Sequence, residues 1–343
     1  MKLADVIAVL ESAYPPRTAE KWDAVGLVCG DPAEEVSRVL VCVDPTSSTV
    51  DEAVEVGAQL VVAHHPLFLK GVNGVAADGP KGALAHRLIR NGAALYCAHT
   101  NADNASPGVS DALAKAIGLT VTGPLDATPR TPADVLITYA QDAGQVVRTL
   151  TGAGAELVKH EDTRLEFTLP RSRRNAVVRA LESAHPRERF TVHELADLPG
   201  DTGSGRIGEL AEPEPLKVFA QRVADALPAT VQGVRAAGDP ERLITRVAVC
   251  GGAGDGFLGL VQRAGVDAYV TADLRHHPAS EHVESGGPAL VDVAHWASEW
   301  PWCEQAAEIL RSAFGGRVDV LVSTRRTDPW TVGATSTAVG GHA

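Results

Sequence analysis

At both ends of this 343-residue chain, short apolar runs alternate with helical patterns, and the middle breaks that rhythm. Residues 39–43, 59–63 and 94–98 read as strands, with helices predicted at 49–56 and 82–91. Gly57 and Gly92 stand where helix C-caps are expected. Near the other end the pattern returns, with strands predicted at 246–250, 268–271, 289–293 and 318–322 and helices at 257–263 and 301–311. Alternation of this kind implies βαβ units and a parallel arrangement. The runs are continuous and rich in Val and Ala, as in strands covered on both faces. The expected fold class is α/β: a three-layer core whose largely parallel sheet is formed by both chain ends.

The middle reads differently. Residues 125–133 (LDATPRTPA) look like a Pro/Thr-rich linker. A strand at 135–139, a helix near 144–151, a strand near 165–169, a helix near 173–184 and a strand near 189–195 follow. This β-α-β-α-β order predicts an inserted ferredoxin-like α+β domain, closed by a Gly/Asp-rich turn, PGDTGSGRIGEL. The expected organisation is a discontinuous α/β domain, 1–130 and 200–343, interrupted by 131–199.

The composition is that of a globular protein, 45% hydrophobic and 22% charged. With 43 acidic against 31 basic residues, the net charge of −12 makes a poor general binder of nucleic acid or anionic membrane. The basic run Arg171–Arg174 with Arg179 reads as a solvated helix face. Five cysteines (Cys29, Cys42, Cys97, Cys250 and Cys303), without a CxxC, argue for a reducing compartment. The first residues place Leu3, Val6, Ile7 and Leu10 at helical spacing among Asp5 and Glu11, which predicts an amphipathic helix rather than a signal peptide. No run approaches the length of a membrane span. These features predict a soluble cytoplasmic protein.

The strongest chemical signal is Val61-Val62-Ala63-His64-His65-Pro66: an apolar strand ending in two histidines, then a proline that stops the ladder. Sites in open α/β sheets lie at the carboxyl ends of strands. Two further strand ends carry similar sets. His99 is followed four residues later by Asp103, and His295 by Glu299. Residues at i and i+4 share a helix face, so each pair can aim one nitrogen and one oxygen at the same spot. Imidazole and carboxylate without thiolate suit Zn, Mn, Fe, Co or Ni, and four to six such ligands are what a two-metal site needs.

Other groups read less sharply. Cys303 continues the spacing of His295 and Glu299, but reads better as a buried apolar residue than as a thiolate ligand. Asp273, His276 and His277 follow another strand, either orienting ligands or forming a polar loop. The loop 251–256 (GGAGDG) matches neither GxGxxG nor a P-loop and reads as a tight turn. Trp296, Trp300 and Trp302 surround Glu299, more as packing than as a stacking rim. His86, His160, His185, His193 and His342 read as ordinary polar residues.

Together HHPLF, AHTNAD, GRIGEL, VAVCGGAG and HWASE resemble the NGG-interacting-factor-three-like family, also labelled GTP cyclohydrolase I type 2 homologs. The resemblance runs nearly end to end, with Ala24 standing where the family's WDAVGLVCGD-like segment has Asn. It implies a two-metal site with His64, His65, Asp103, His295 and Glu299 as ligands, Glu299 bridging, and His99 beside them as a further ligand or proton carrier. The resemblance places Asp273 and His277 in the cavity wall. It also implies a ring-shaped homohexamer and, in longer members, an inserted domain like the PII/CutA signalling proteins. The function expected is that of a metal-dependent hydrolase, cyclohydrolase-like, holding two divalent ions with zinc favoured. A metal-bridging hydroxide would attack a nucleotide-like or heterocyclic small molecule, with His99 and Glu299 as candidate catalytic residues. The alternative is a non-enzymatic metal-binding regulator with a ligand-sensing inserted domain.

Overall fold

In the computed structural model, which describes residues 1–129, 133–195 and 199–334, the chain forms two compact units: Met1–Ala127 with Asp201–Ala343, and Thr128–Gly200. The boundary expected between residues 130 and 131 lies outside the described residues, as does His342.

The first unit opens with α1 (Leu3–Ala13) and β1 (Gly26–Cys29). Strands and helices then alternate as β2 (Arg38–Cys42), α2 (Ser47–Glu55), β3 (Leu60–Ala63), α3 (Pro80–Arg90) and β4 (Ala94–Cys97). The one-turn helix α4 (Thr100–Asp103), α5 (Val109–Ala116) and β5 (Thr120–Pro129) follow. The second unit holds β6 (Ala133–Tyr139), α6 (Ala143–Gly152), β7 (Glu156–Glu161), β8 (Arg164–Pro170), α7 (Arg174–Ala184) and β9 (Arg189–Glu194). The chain continues through β10 (Pro199–Pro215), α8 (Leu216–Ala226), β11 (Arg235–Ala237), β12 (Leu243–Ala253), α9 (Leu258–Arg263) and β13 (Ala268–Ala272). It ends with α10 (His276–Glu284), β14 (Ala289–Val293), α11 (His295–Phe314) and β15 (Asp319–Val322). Gly57 and Gly92 take the left-handed conformation at the ends of α2 and α3, with φ of 67° and 66°.

The architecture is α/β, and its parallel strands fall into two sheets. One has the order β1-β4-β3-β2-β15. Its strands β4, β3, β2 and β15 run parallel, and β1 is antiparallel at the edge. Both chain ends contribute, since β15 lies beside β2. The other has the order β11-β14-β13-β12-β10-β5, with β14, β13 and β12 parallel.

Side chains on a strand alternate between faces, and here each face has its own apolar cover. Val39, Val41, Leu60 and Val62 of the first sheet share a core with Val247, Val249, Val270 and Val291 of the second, together with α1, α5 and α11. The opposite face of the first sheet, with Leu40, Val61 and Leu95, packs on α2 and α3. That of the second, with Ala248, Tyr269 and Leu290, packs on α9. This double burial explains the unbroken apolar runs.

Three readings of the sequence are corrected. Residues 120–129 form a strand that runs into the supposed linker, and the PGDTGSGRIGEL turn lies within the long strand β10. Two of its glycines are crowded: a Cβ on Gly205 would meet the Val249 carbonyl oxygen, and one on Gly208 the Thr120 carbonyl oxygen, each at 2.9 Å. Helix α11 begins at His295, not at 301, and Pro301 lies inside it.

The second unit has one antiparallel sheet, order β7-β8-β6-β9, with α6 and α7 on one face. Strand β7 was missed because its six residues are all exposed and carry no apolar alternation. The connection is therefore β-α-β-β-α-β. Asp134, fully buried on β6, receives Arg171 Nε at 3.3 Å and Arg174 Nε at 2.7 Å. Arg174 also donates to Glu194. Two members of the basic run thus hold this unit together.

Candidate metal centre

The ends of β3, β4 and β14 converge as the sequence predicted. His64 and His65 extend the parallel ladder past β3, their N–H groups donating to the carbonyls of Cys42 and Val43. Pro66, without an N–H, follows them. His99 caps α4, which carries Asp103 at its last residue. His295 opens α11 and Glu299 lies one turn on, with His295 Nε2 3.0 Å from Glu299 Oε1. Starting α11 at His295 is what places this pair on one face.

Glu299 stands at the centre, 3% exposed. An isolated buried carboxylate would cost several kcal/mol. Three imidazoles offset that cost: besides His295, His64 Nε2 lies 3.5 Å from Oε1 and His65 Nε2 lies 3.2 Å from Oε2. His64 Nε2 is also 3.8 Å from Asp103 Oδ1. Even so, His64 Nε2 and Glu299 Oε2 are buried without a hydrogen-bond partner of sound geometry among the described residues. Buried polar atoms left in this way call for an explanation such as a bound ion. Among the described residues, two groups have the mutual spacing to hold a metal ion: His64, His65 and His99, and His65, His295 and Glu299.

Every one of the four histidines is anchored through Nδ1, which leaves Nε2 for the centre. His64 donates to the Ala98 carbonyl at 2.8 Å. His65 donates to Asp44 at 2.7 Å, His99 to Asp23 at 2.9 Å and His295 to Asp273 at 2.6 Å. Such partners fix tautomer and ring orientation in metal sites. The expectation for Asp273 as an orienting residue is met, in a residue whose φ of 56° is unusual for a non-glycine. Asp44 and Asp23 were not foreseen. Asp44 in turn accepts from Thr327, and Asp23 from Thr100.

The electrostatics follow from this crowding. Burial works against a charged His65, but the Glu299 carboxylate and Asp44 outweigh it and push the imidazole up to about 11. The same balance, led by Glu299, raises His295 to about 9 and moves His64 upward. For Glu299, burial favours protonation, yet His65, His64 and His295 hold the carboxyl well below its usual range. Burial lifts Asp103 to about 6, against the pull of His64. His99 is held down by burial and by His64. The buried Glu299 carboxylate is thus the anionic centre to which the imidazoles turn, and a metal ion bound there would displace their protons.

Gly252 on β12 closes the site. A Cβ there would meet Glu299 Oε1 at 2.5 Å and His295 Nε2 at 3.2 Å. The glycine-rich segment therefore grants close approach to the cluster.

Several neighbours are placed by the structure. Cys303 is fully buried in the central core, and burial pushes its thiol well above the usual range. All five cysteines are free. Trp296 and Trp302 are core residues, and Trp300 donates to the Ser323 carbonyl. Trp302 packs against the His64 ring at 5.2 Å between centroids, so packing is what the cluster does. Asp273 and His277 are both exposed and are not among the residues lining the cavity, which corrects their expected place in the wall. The cavity measures about 390 Å³ and reaches from His99, Asp103 and Glu299 to Trp22 and Phe257.

Residues 1–329 match the family described as Duf34/NIF3 (NGG1p interacting factor 3). Relatives from Mycobacterium tuberculosis and Streptomyces coelicolor, both named GTP cyclohydrolase 1 type 2 homolog, are 49% and 42% identical. The matches cover 96% and 99% of this chain and 97% and 98% of theirs. A crystal structure of a Staphylococcus aureus protein is 30% identical with a TM-score of 0.80, covering 97% of this chain and 99% of that one. A Bacillus cereus protein related to NIF3 is 29% identical with a TM-score of 0.74, at the same coverage.

Proposed function

The chain belongs to the Duf34/NIF3 family, and from that premise we propose that it is a dinuclear metal-binding protein acting as a metal-dependent hydrolase. Its substrate would be a nucleotide-like or heterocyclic small molecule. The observation that carries this reading is a pair of buried atoms, His64 Nε2 and Glu299 Oε2, without a hydrogen-bond partner of sound geometry among the described residues, amid imidazoles whose Nδ1 atoms are already engaged. The nitrogen and oxygen donors without thiolate suit divalent ions, zinc foremost, then Mn, Fe, Co or Ni.

The ligands we assign are His64, His65, Asp103, His295 and Glu299. Both oxygens of Glu299 face imidazoles, which fits a bridging role. Two divalent ions held there would supply Lewis acidity and activate water near neutral pH. His99, tied to Asp23 through Nδ1, keeps Nε2 for proton transfer, and Asp103 is a second candidate. Asp44 and Asp273 hold His65 and His295 in place.

A second reading is a non-enzymatic metal-binding regulator whose inserted PII/CutA-like unit senses a ligand. The independent apolar core of residues 128–200 favours it. We also assign a cytoplasmic location and a homohexamer to the protein. No helix among the described residues is long and apolar enough to cross a membrane. Nucleic acid is disfavoured as a partner, because Arg171 and Arg174 are engaged with Asp134.

The test is metal-reconstituted protein assayed against GTP, related heterocycles and phosphoesters. Turnover that disappears in the His64→Ala, Glu299→Ala double variant supports a hydrolase. Turnover equal to that of the double variant overturns it, and metal-dependent binding of a metabolite without chemical change favours the regulator.

A further inference from the structure

Trp22 is 59% exposed although the chain buries most of its large aromatic side chains. It lines the cavity beside the histidine cluster, edge-on to His99 with centroids 6.0 Å apart. Its turn is fastened from two directions. The Glu20 N–H donates to Thr100 Oγ1 at 2.9 Å, and the neighbouring Asp23 receives both Thr100 and His99. A rigid, exposed indole has little value to the fold, but it gives a planar ligand a large apolar face at low entropic cost.

The charge of the lining narrows the ligand. Among the described residues that line the cavity, Glu20, Asp103 and Glu299 are acidic and none is Lys or Arg. An uncharged ring with N–H donors would meet the Trp22 face and the exposed Glu20 carboxylate, which is an acceptor only.

We propose that the cavity recognises the planar heterocycle of a nucleobase or nucleoside, stacked on Trp22 and hydrogen-bonded through its N–H edge to Glu20. This rests on the reading of the adjacent cluster as a metal site only in that the ring lies beside it.

The experiment is calorimetric titration of the full-length, metal-containing protein with the four ribonucleosides. Wild type is compared with Trp22→Ala, Trp22→Phe and Glu20→Gln, and metal content is measured in each. At least one nucleoside should bind, and Trp22→Ala should weaken it about tenfold to hundredfold. Trp22→Phe should restore most of the affinity, Glu20→Gln should weaken it severalfold, and metal content should stay unchanged. Failure of every nucleoside to bind overturns the proposal, as does equal affinity in Trp22→Ala. If metal is absent from the wild type, the metal-site reading fails instead, so the two failures are distinguishable.

Discussion

Replacing Gly252 with alanine would set a methyl group against the carboxylate at the centre of the site. The backbone there has φ of 70°, which costs an L-residue roughly 1–2 kcal/mol. The new Cβ would stand 2.5 Å from Glu299 Oε1, and ordinary contact begins at 3.4 Å, so the oxygen must retreat by about 0.9 Å. Metal–ligand distances tolerate about 0.2 Å. The variant should therefore stay folded, lose about 1–2 kcal/mol of stability, and bind metal at least about tenfold more weakly. Gly256→Ala is the control, since its Cβ would meet nothing within 4 Å and its φ is not positive. Equilibrium dialysis against zinc, with elemental analysis and a denaturant melt, reads both effects. Full metal affinity in Gly252→Ala, or an equal loss in Gly256→Ala, would refute the placement of Glu299 as a ligand held against β12.

Asp44→Asn removes the anion that orients His65, and metal affinity should fall about tenfold to hundredfold in the same dialysis assay. Cys303→Ala should leave metal content unchanged and cost about 1 kcal/mol through a small core cavity. A loss of metal would instead make this thiol a ligand. Asp134→Asn should destabilise the second unit by about 1–3 kcal/mol in urea, because Arg171 and Arg174 lose a buried anionic acceptor. The hydrogen bonds from Arg174, stronger than the opposing effect of burial, hold the Asp134 carboxyl below its usual range. Its stabilisation is therefore complete above about pH 4 and lost as the pH falls through the lower folded value. The variant should lack that acid-side decline.

The strand ends were legible because their signals are local. An apolar run closed by His64-His65-Pro66 announces both the strand and what lies beyond it. His295 and Glu299 announce a shared helix face by spacing alone. Pro301 misled the helix start, since proline is commonest in the first helical turn, yet here it sits a turn and a half inside α11. The anchors of the histidines were hidden for a different reason. Asp23 reaches His99 across 76 residues and Asp44 reaches His65 across 21, both from loops without periodic pattern. Gly252 read as a turn residue because its role depends on Glu299, which sequence distance conceals. Strand β7 escaped because an exposed strand carries no apolar alternation.

The most direct test is a crystal of protein purified without chelator, with anomalous data collected at the zinc, iron and manganese edges. Two peaks about 3.5–4 Å apart are expected, with Glu299 between them and His64, His65, Asp103 and His295 around them. A single peak, or density in which Glu299 contacts no metal, would contradict the dinuclear site.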